Sequence, residues 1–109
     1  MQSESAAPIT AFIGIGSNLD SPKDRVKGAA GLLAEIPSTR VERVSSLYQS
    51  APFGVTNQPD FVNAVACLST SLEVRVLFRK LQKIEAAQGR VRTKRWGPRV
   101  LDLDLLVYG

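Results

Sequence analysis

Leu101, Asp102, Leu103, Asp104 and Leu105 alternate apolar and acidic residues, and that alternation leaves a strand few places to lie. Successive side chains of a strand point to opposite faces. Leu101, Leu103, Leu105 and Val107 are therefore predicted to enter a core, while Asp102 and Asp104 share the other face about 7 Å apart. One face of the sheet must be covered and the other left open, which suits an antiparallel sheet with its helices on one side. Just upstream, Arg90, Arg92, Lys94, Arg95 and Arg99 are interrupted by no acid. Taken alone, the two carboxylates are accounted for by the polar face of a half-exposed strand. Beside five cations they also outline a site for divalent metal and polyphosphate.

Periodicity along the rest of the chain gives the setting. Thr10 to Ile15 reads as a strand ending in the turn Gly16-Ser17-Asn18. Asp20 or Ser21 is expected to cap a helix with Pro22 at its first position, Asp24 in its first turn, and Val26, Ala29, Ala30, Leu33 and Ala34 at helical spacing before Pro37. Thr39 to Tyr48 is a second strand whose imperfect alternation leaves room for a bulge. Gln49 to Pro59 reads as a long loop and Phe61 to Ser69 as a third strand. Leu72 to Gln88 is helical, with a stripe of Val74, Leu77, Phe78, Leu81 and Ile84 that stops at Gly89. Arg90 to Pro98 is then a basic loop and Arg99 to Tyr108 the fourth strand. The order β-α-β-β-α-β predicts an α+β, ferredoxin-like sandwich: an antiparallel sheet with two helices on one face. Residues 1–8 are expected to form a flexible tail, and 9–109 one domain.

Composition narrows the chemistry. At 109 residues and 44% hydrophobic content the chain can bury one core. Its net charge of +4, concentrated between Arg90 and Arg99, favours an anionic partner. With no histidine, Ser/His and Cys/His nucleophile pairs and imidazole-bound metal are excluded. The remaining inventory of arginine, lysine and carboxylate suits Mg²⁺-assisted phosphoryl transfer, which depends on positioning and charge stabilisation. Cys67, the single cysteine, lies in an apolar strand and is expected to be a packed thiol in a reducing, cytoplasmic compartment. Neither a run of about 20 apolar residues nor a signal-peptide pattern occurs, so no membrane is expected.

Individual residues admit two accounts each. Glu85 lies four residues after Leu81 and seven after Phe78, on the apolar face of its helix or at its border, with Gln82 on the same side. It either pairs with Lys83 or a loop arginine, or faces a ligand. Phe61 and Asn63 share a strand face and offer an aromatic plane beside an amide, as a flat heteroaromatic ligand requires; alternatively Phe61 is core and Asn63 satisfies loop backbone. Gly16-Ser17-Asn18 lacks the phosphate-loop lysine pattern and reads as a plain turn. Trp96 either stacks on a base or plugs the sheet edge.

Taken together, FIGIGSNL, SSLYQSAPFG, QPDFVNAV, the Gln82-Lys83-Ile84-Glu85 stretch before Gly89-Arg90-Val91-Arg92, and RWGPRVLDLDLLVYG resemble the 6-hydroxymethyl-7,8-dihydropterin pyrophosphokinases. These enzymes of folate biosynthesis move pyrophosphate from ATP to a pterin alcohol and release AMP. The resemblance implies that Asp102 and Asp104 bind two Mg²⁺ ions and that Arg90 and Arg99 stabilise charge on the transferring group. Gln82, Glu85, Arg92, Trp96, Arg99 and Leu105 would contact the nucleotide. Ser50, Ala51, Phe53, Phe61, Asn63 and Trp96 would hold the pterin. Ser50 stands where threonine is typical, which keeps the hydroxyl. Family members continue beyond Gly109 with a Pro-His motif, a further arginine and a second pterin-stacking aromatic, so the chain is expected to be C-terminally truncated relative to them. The expectation is a monomeric cytoplasmic pyrophosphokinase, the alternative a truncated, catalytically weak or dead pterin- or nucleotide-binding module. RNA-binding domains share the element order and basic charge, but their aromatic-rich central strands are missing here, and no nucleic-acid partner is expected.

Overall fold

Alternation and helical spacing resolve into seven elements: β1 (Ile9–Ser17), α1 (Pro22–Ala34), β2 (Thr39–Val44), β3 (Tyr48–Ser50), β4 (Phe61–Thr70), α2 (Val74–Ala87) and β5 (Asp102–Tyr108). They belong to a computed structural model that describes residues 7–19, 21–51, 59–88 and 100–109. The sheet is antiparallel in the order β2-β4-β1-β5, and β3 pairs with β4. With β2 and β3 counted as one broken strand, this is the expected ferredoxin-like α+β arrangement.

Period-two burial decides which face the helices cover. Ala11, Ile13 and Ile15 of β1, Ala64, Ala66 and Leu68 of β4, and Leu103 of β5 join Val26, Ala29 and Leu33 of α1 and Leu77 and Leu81 of α2 in one apolar cluster. Both helices therefore lie on one face, and the residues between those positions look out from the other. Thr70 closes the end of the core. Its hydroxyl is 2.7 Å from that of Thr39 and accepts the Leu72 N–H at 3.1 Å.

Several local expectations change. The second strand breaks in two: its register shifts between Val41 and Arg43, and at Ser45 the side chain enters the ladder. The Ser45 N–H donates to the Val65 carbonyl at 2.8 Å, while Ser45 Oγ accepts the Val65 N–H at 2.8 Å. Pairing resumes at Tyr48, so Gln49 and Ser50, expected in a loop, are strand. In β5, Ile13 pairs with Leu105 and Phe12 with Val107, which makes Leu106 the extra residue of a bulge. The phase of the alternation flips there. Val107, expected in the core, is 48% exposed, and Tyr108 takes the helix side with its hydroxyl donating to the Leu72 carbonyl at 2.6 Å. Phe78 likewise leaves the expected stripe and is exposed. Of the predicted caps, Asp20 lies outside the described residues. Ser21 makes no side-chain cap; it adopts φ 61° and accepts the Arg25 N–H with its carbonyl. Cys67, expected to be packed, is half-buried on the open face, in a shallow groove with Phe12 and Val65.

Candidate functional site

With Ala11, Ile13 and Ile15 turned toward the helices, β1 presents Gly14 and Gly16 to the open face. Pairing places Gly16 between Asn63 of β4 and Asp102 of β5, and Gly14 between Val65 and Asp104. The central strand thus has no side chains where its neighbours do. Two strand spacings separate the Asn63 and Asp102 backbones, about 10 Å, and the result is a trough. Its volume is ≈ 480 Å³; Phe61, Asn63, Tyr48, Ser50 and Ala51 line it on one side, Asp102, Asp104 and Leu106 on the other. The floor has little slack at one end. A Cβ on Gly16 would stand 3.2 Å from Asn63 Oδ1 and 3.6 Å from Phe61, whereas one on Gly14 would make ordinary contact with Leu106 at 3.5 Å.

Asn63 is oriented by β3. Its Nδ2 donates to Ser50 Oγ at 2.9 Å and to the Tyr48 carbonyl at 3.3 Å, which turns Oδ1 over the Gly16 floor. An aromatic ring, a fixed amide oxygen and a hydroxyl therefore meet on one wall, a set that recognises a flat ring bearing N–H donors. Opposite, Asp102 is half-buried and Asp104 exposed. Among the described residues no cluster of three His, Cys, Asp or Glu side chains forms a complete metal cage. Two hard carboxylates two residues apart on one strand face fit Mg²⁺, which retains water and takes phosphate oxygens as its other ligands.

The turn after β1 has a structural task. Asn18 is buried, and its Nδ2 donates to the Pro59 carbonyl at 3.0 Å, which ties the end of β1 to the entry of β4.

Of the predicted site residues, Ser50, Ala51, Phe61, Asn63, Asp102 and Asp104 come together in the trough. Gln82, Glu85 and Leu105 do not line it. Gln82 is exposed on α2, Leu105 is half-buried against the core, and Glu85 is buried with Oε2 accepting the Leu103 N–H at 2.7 Å. Phe53, Arg90, Arg92, Trp96 and Arg99 lie outside the described residues. Sequence reasoning missed the glycine floor and the Tyr48 and Leu106 contributions to the walls. The signal for the floor was present in Phe12-Ile13-Gly14-Ile15-Gly16, where the face opposite the isoleucines is glycine twice in succession.

Comparison with known proteins matches residues 12–109 to the family described as 7,8-dihydro-6-hydroxymethylpterin-pyrophosphokinase (HPPK). The 2-amino-4-hydroxy-6-hydroxymethyldihydropteridine pyrophosphokinase of Haemophilus influenzae is 48% identical over 101 residues, covering 93% of this chain and 63% of the relative. Its namesake in Pseudomonas aeruginosa is 48% identical over 98 residues, covering 90% and 60%. That of Pseudomonas putida is 46% identical over 100 residues, covering 92% and 82%. The chain thus spans less than two thirds of the length of the first two relatives.

Proposed function

This chain belongs to the 7,8-dihydro-6-hydroxymethylpterin-pyrophosphokinase family, and we propose that it transfers pyrophosphate from ATP to the hydroxymethyl group of 6-hydroxymethyl-7,8-dihydropterin, releasing AMP, within folate biosynthesis. The observation that carries this reading is the single trough with an aromatic-amide wall facing a carboxylate wall across two glycines. Phe61 stacks on the pterin ring, while Asn63 Oδ1 accepts from a ring N–H, with Ser50 and Ala51 beside them. The hydroxymethyl group then extends across the floor toward Asp102 and Asp104.

Those aspartates would hold two Mg²⁺ ions, which when bound neutralise the polyphosphate and make the substrate hydroxyl easier to deprotonate. The hydroxymethyl oxygen forms a bond to the β-phosphorus of ATP as the bond from that phosphorus to the α,β-bridging oxygen breaks. AMP departs, and the hydroxyl proton passes to solvent. In this reading Arg90 and Arg99 meet charge on the transferring group, and Gln82, Arg92, Trp96 and Leu105 contact the nucleotide. The enzyme works as a monomer in the cytoplasm, without nucleic acid; no described helix is long and apolar enough to cross a membrane.

The test is AMP release from ATP and Mg²⁺ with and without the hydroxymethyl-dihydropterin. Pterin-dependent AMP, lost in Asp104→Asn, is the expected result. Pterin-independent ATP cleavage, or binding of both ligands with no AMP formed, would overturn the assignment.

A further inference from the structure

We infer that Glu85 is a positioning residue: its buried carboxylate stands in for a missing neighbour strand at the outer edge of β5 and holds the Asp102-Leu103-Asp104 segment in place. Its functional consequence rests on the metal-holding reading of the two aspartates above.

Residues Leu77, Leu81 and Glu85 form one buried row on α2, each four positions from the last. Leu77 and Leu81 are 0% and 1% exposed, and Glu85, at 6%, continues the row into the same interior. A carboxylate there is costly unless hydrogen-bonded. One of its bonds goes to the backbone of the proposed metal-binding strand, with Oε2 accepting the Leu103 N–H at 2.7 Å, at the short end of the N–H···O range.

The geometry of that bond matters more than its strength. β5 ends the sheet, with β1 as its only sheet neighbour among the described strands. Backbone groups of an edge strand alternate between facing the neighbour and facing outward. An N–H that meets a side chain of α2 points away from β1, so Glu85 occupies the position where a further strand's carbonyl would be. Leu103 is also the residue between the two aspartates, and its own side chain is buried in the core. It is therefore fixed by its side chain below and its N–H at the edge. Both constraints hold Asp102 and Asp104 on the open face; a slip by one residue would turn them into the core. The bulge at Leu106 makes such a constraint useful, because the register of β5 against β1 already shifts once there, three residues beyond Leu103.

Glu85→Gln keeps an acceptor oxygen without the charge, Glu85→Leu keeps approximate size without an acceptor, and Glu85→Asp withdraws the acceptor by one methylene. Two readouts separate positioning from general stability: exchange of the Leu103 amide by NMR, and affinity for Mn²⁺ in the presence of ATP by EPR titration. Glu85→Leu is expected to speed Leu103 exchange at least about tenfold and to weaken Mn²⁺ binding about tenfold, while Ile13 and Ile15 amides keep their protection. Glu85→Asp should shift both readouts in the same direction and serves as the test if Glu85→Leu does not fold. Glu85→Gln should stay close to the unaltered chain in both. Unchanged Leu103 exchange in Glu85→Leu or Glu85→Asp would overturn the strut. So would Glu85→Gln losing as much Mn²⁺ affinity as Glu85→Leu, since that result assigns the role to charge. If the unaltered chain binds no Mn²⁺ with ATP, the metal reading fails instead, a result that Leu103 exchange tells apart.

Discussion

Gly16 determines how near the two walls of the trough can come to the central strand. A methyl group there would press on Asn63 Oδ1 from 3.2 Å, closer than nine in ten real contacts, and the amide is tethered to Ser50 and Tyr48. Gly16→Ala is expected to weaken pterin binding about tenfold, roughly 1.4 kcal/mol, measured by calorimetry. Gly14→Ala, which meets only Leu106, should leave it nearly unchanged. Asp104 is exposed and supports no core contact, so Asp104→Asn should abolish Mg²⁺-dependent ATP binding while moving the urea unfolding free energy by less than about 0.5 kcal/mol. Thr70 is the opposite kind of residue. Fully buried, it satisfies both the Thr39 hydroxyl and the Leu72 N–H, and Thr70→Val should cost about 1–3 kcal/mol in the same urea experiment without touching ligand affinity.

The two helices are built to different standards. In α2 the buried leucines sit one turn apart, and Leu81→Ala should destabilise by about 2–5 kcal/mol. Helix α1 carries Gly31 on its exposed side, where an added Cβ meets nothing within 4 Å, and Gly31→Ala should raise stability by about 0.5–1 kcal/mol through helix propensity, read as a higher thermal midpoint. Both helices and the long strands were legible in the sequence because each repeats a period over many residues. The bulge at Leu106 was not, since one extra residue leaves composition intact and only reverses the phase, which is why Val107 and Tyr108 exchanged sides. The break between β2 and β3 hid for a similar reason: a Ser45 hydroxyl replaced a backbone acceptor, and serine is common in loops and strands alike. That Asp102 and Asp104 share one face of their strand, and Phe61 and Asn63 one face of theirs, was readable from alternation; what those faces do was not. Glu85 was readable as lying on an apolar face, but the group it meets on β5 is the Leu103 backbone N–H, a group every residue but proline carries.

Across the whole molecule, one apolar cluster joins both helices to the sheet, so unfolding followed by circular dichroism and by tyrosine fluorescence is expected to give coincident transitions. Sheet order adds a constraint on time. Ile15 of β1 is paired on one side with Ala64 and on the other with Leu103, so the central strand has no partner close to it in sequence. Such high contact order makes folding slow, because long loops must close before any pairing rewards them. On the ribosome β1 emerges first and must wait for both its neighbours. β4 reaches it with Phe61 and Asn63, and β5 follows only after the whole of α2 has been made. A nascent chain would therefore assemble the wall proposed for the pterin before the wall proposed for the phosphates, and the glycine floor between them would spend that interval as an unshielded sheet edge, open to mispairing with other chains.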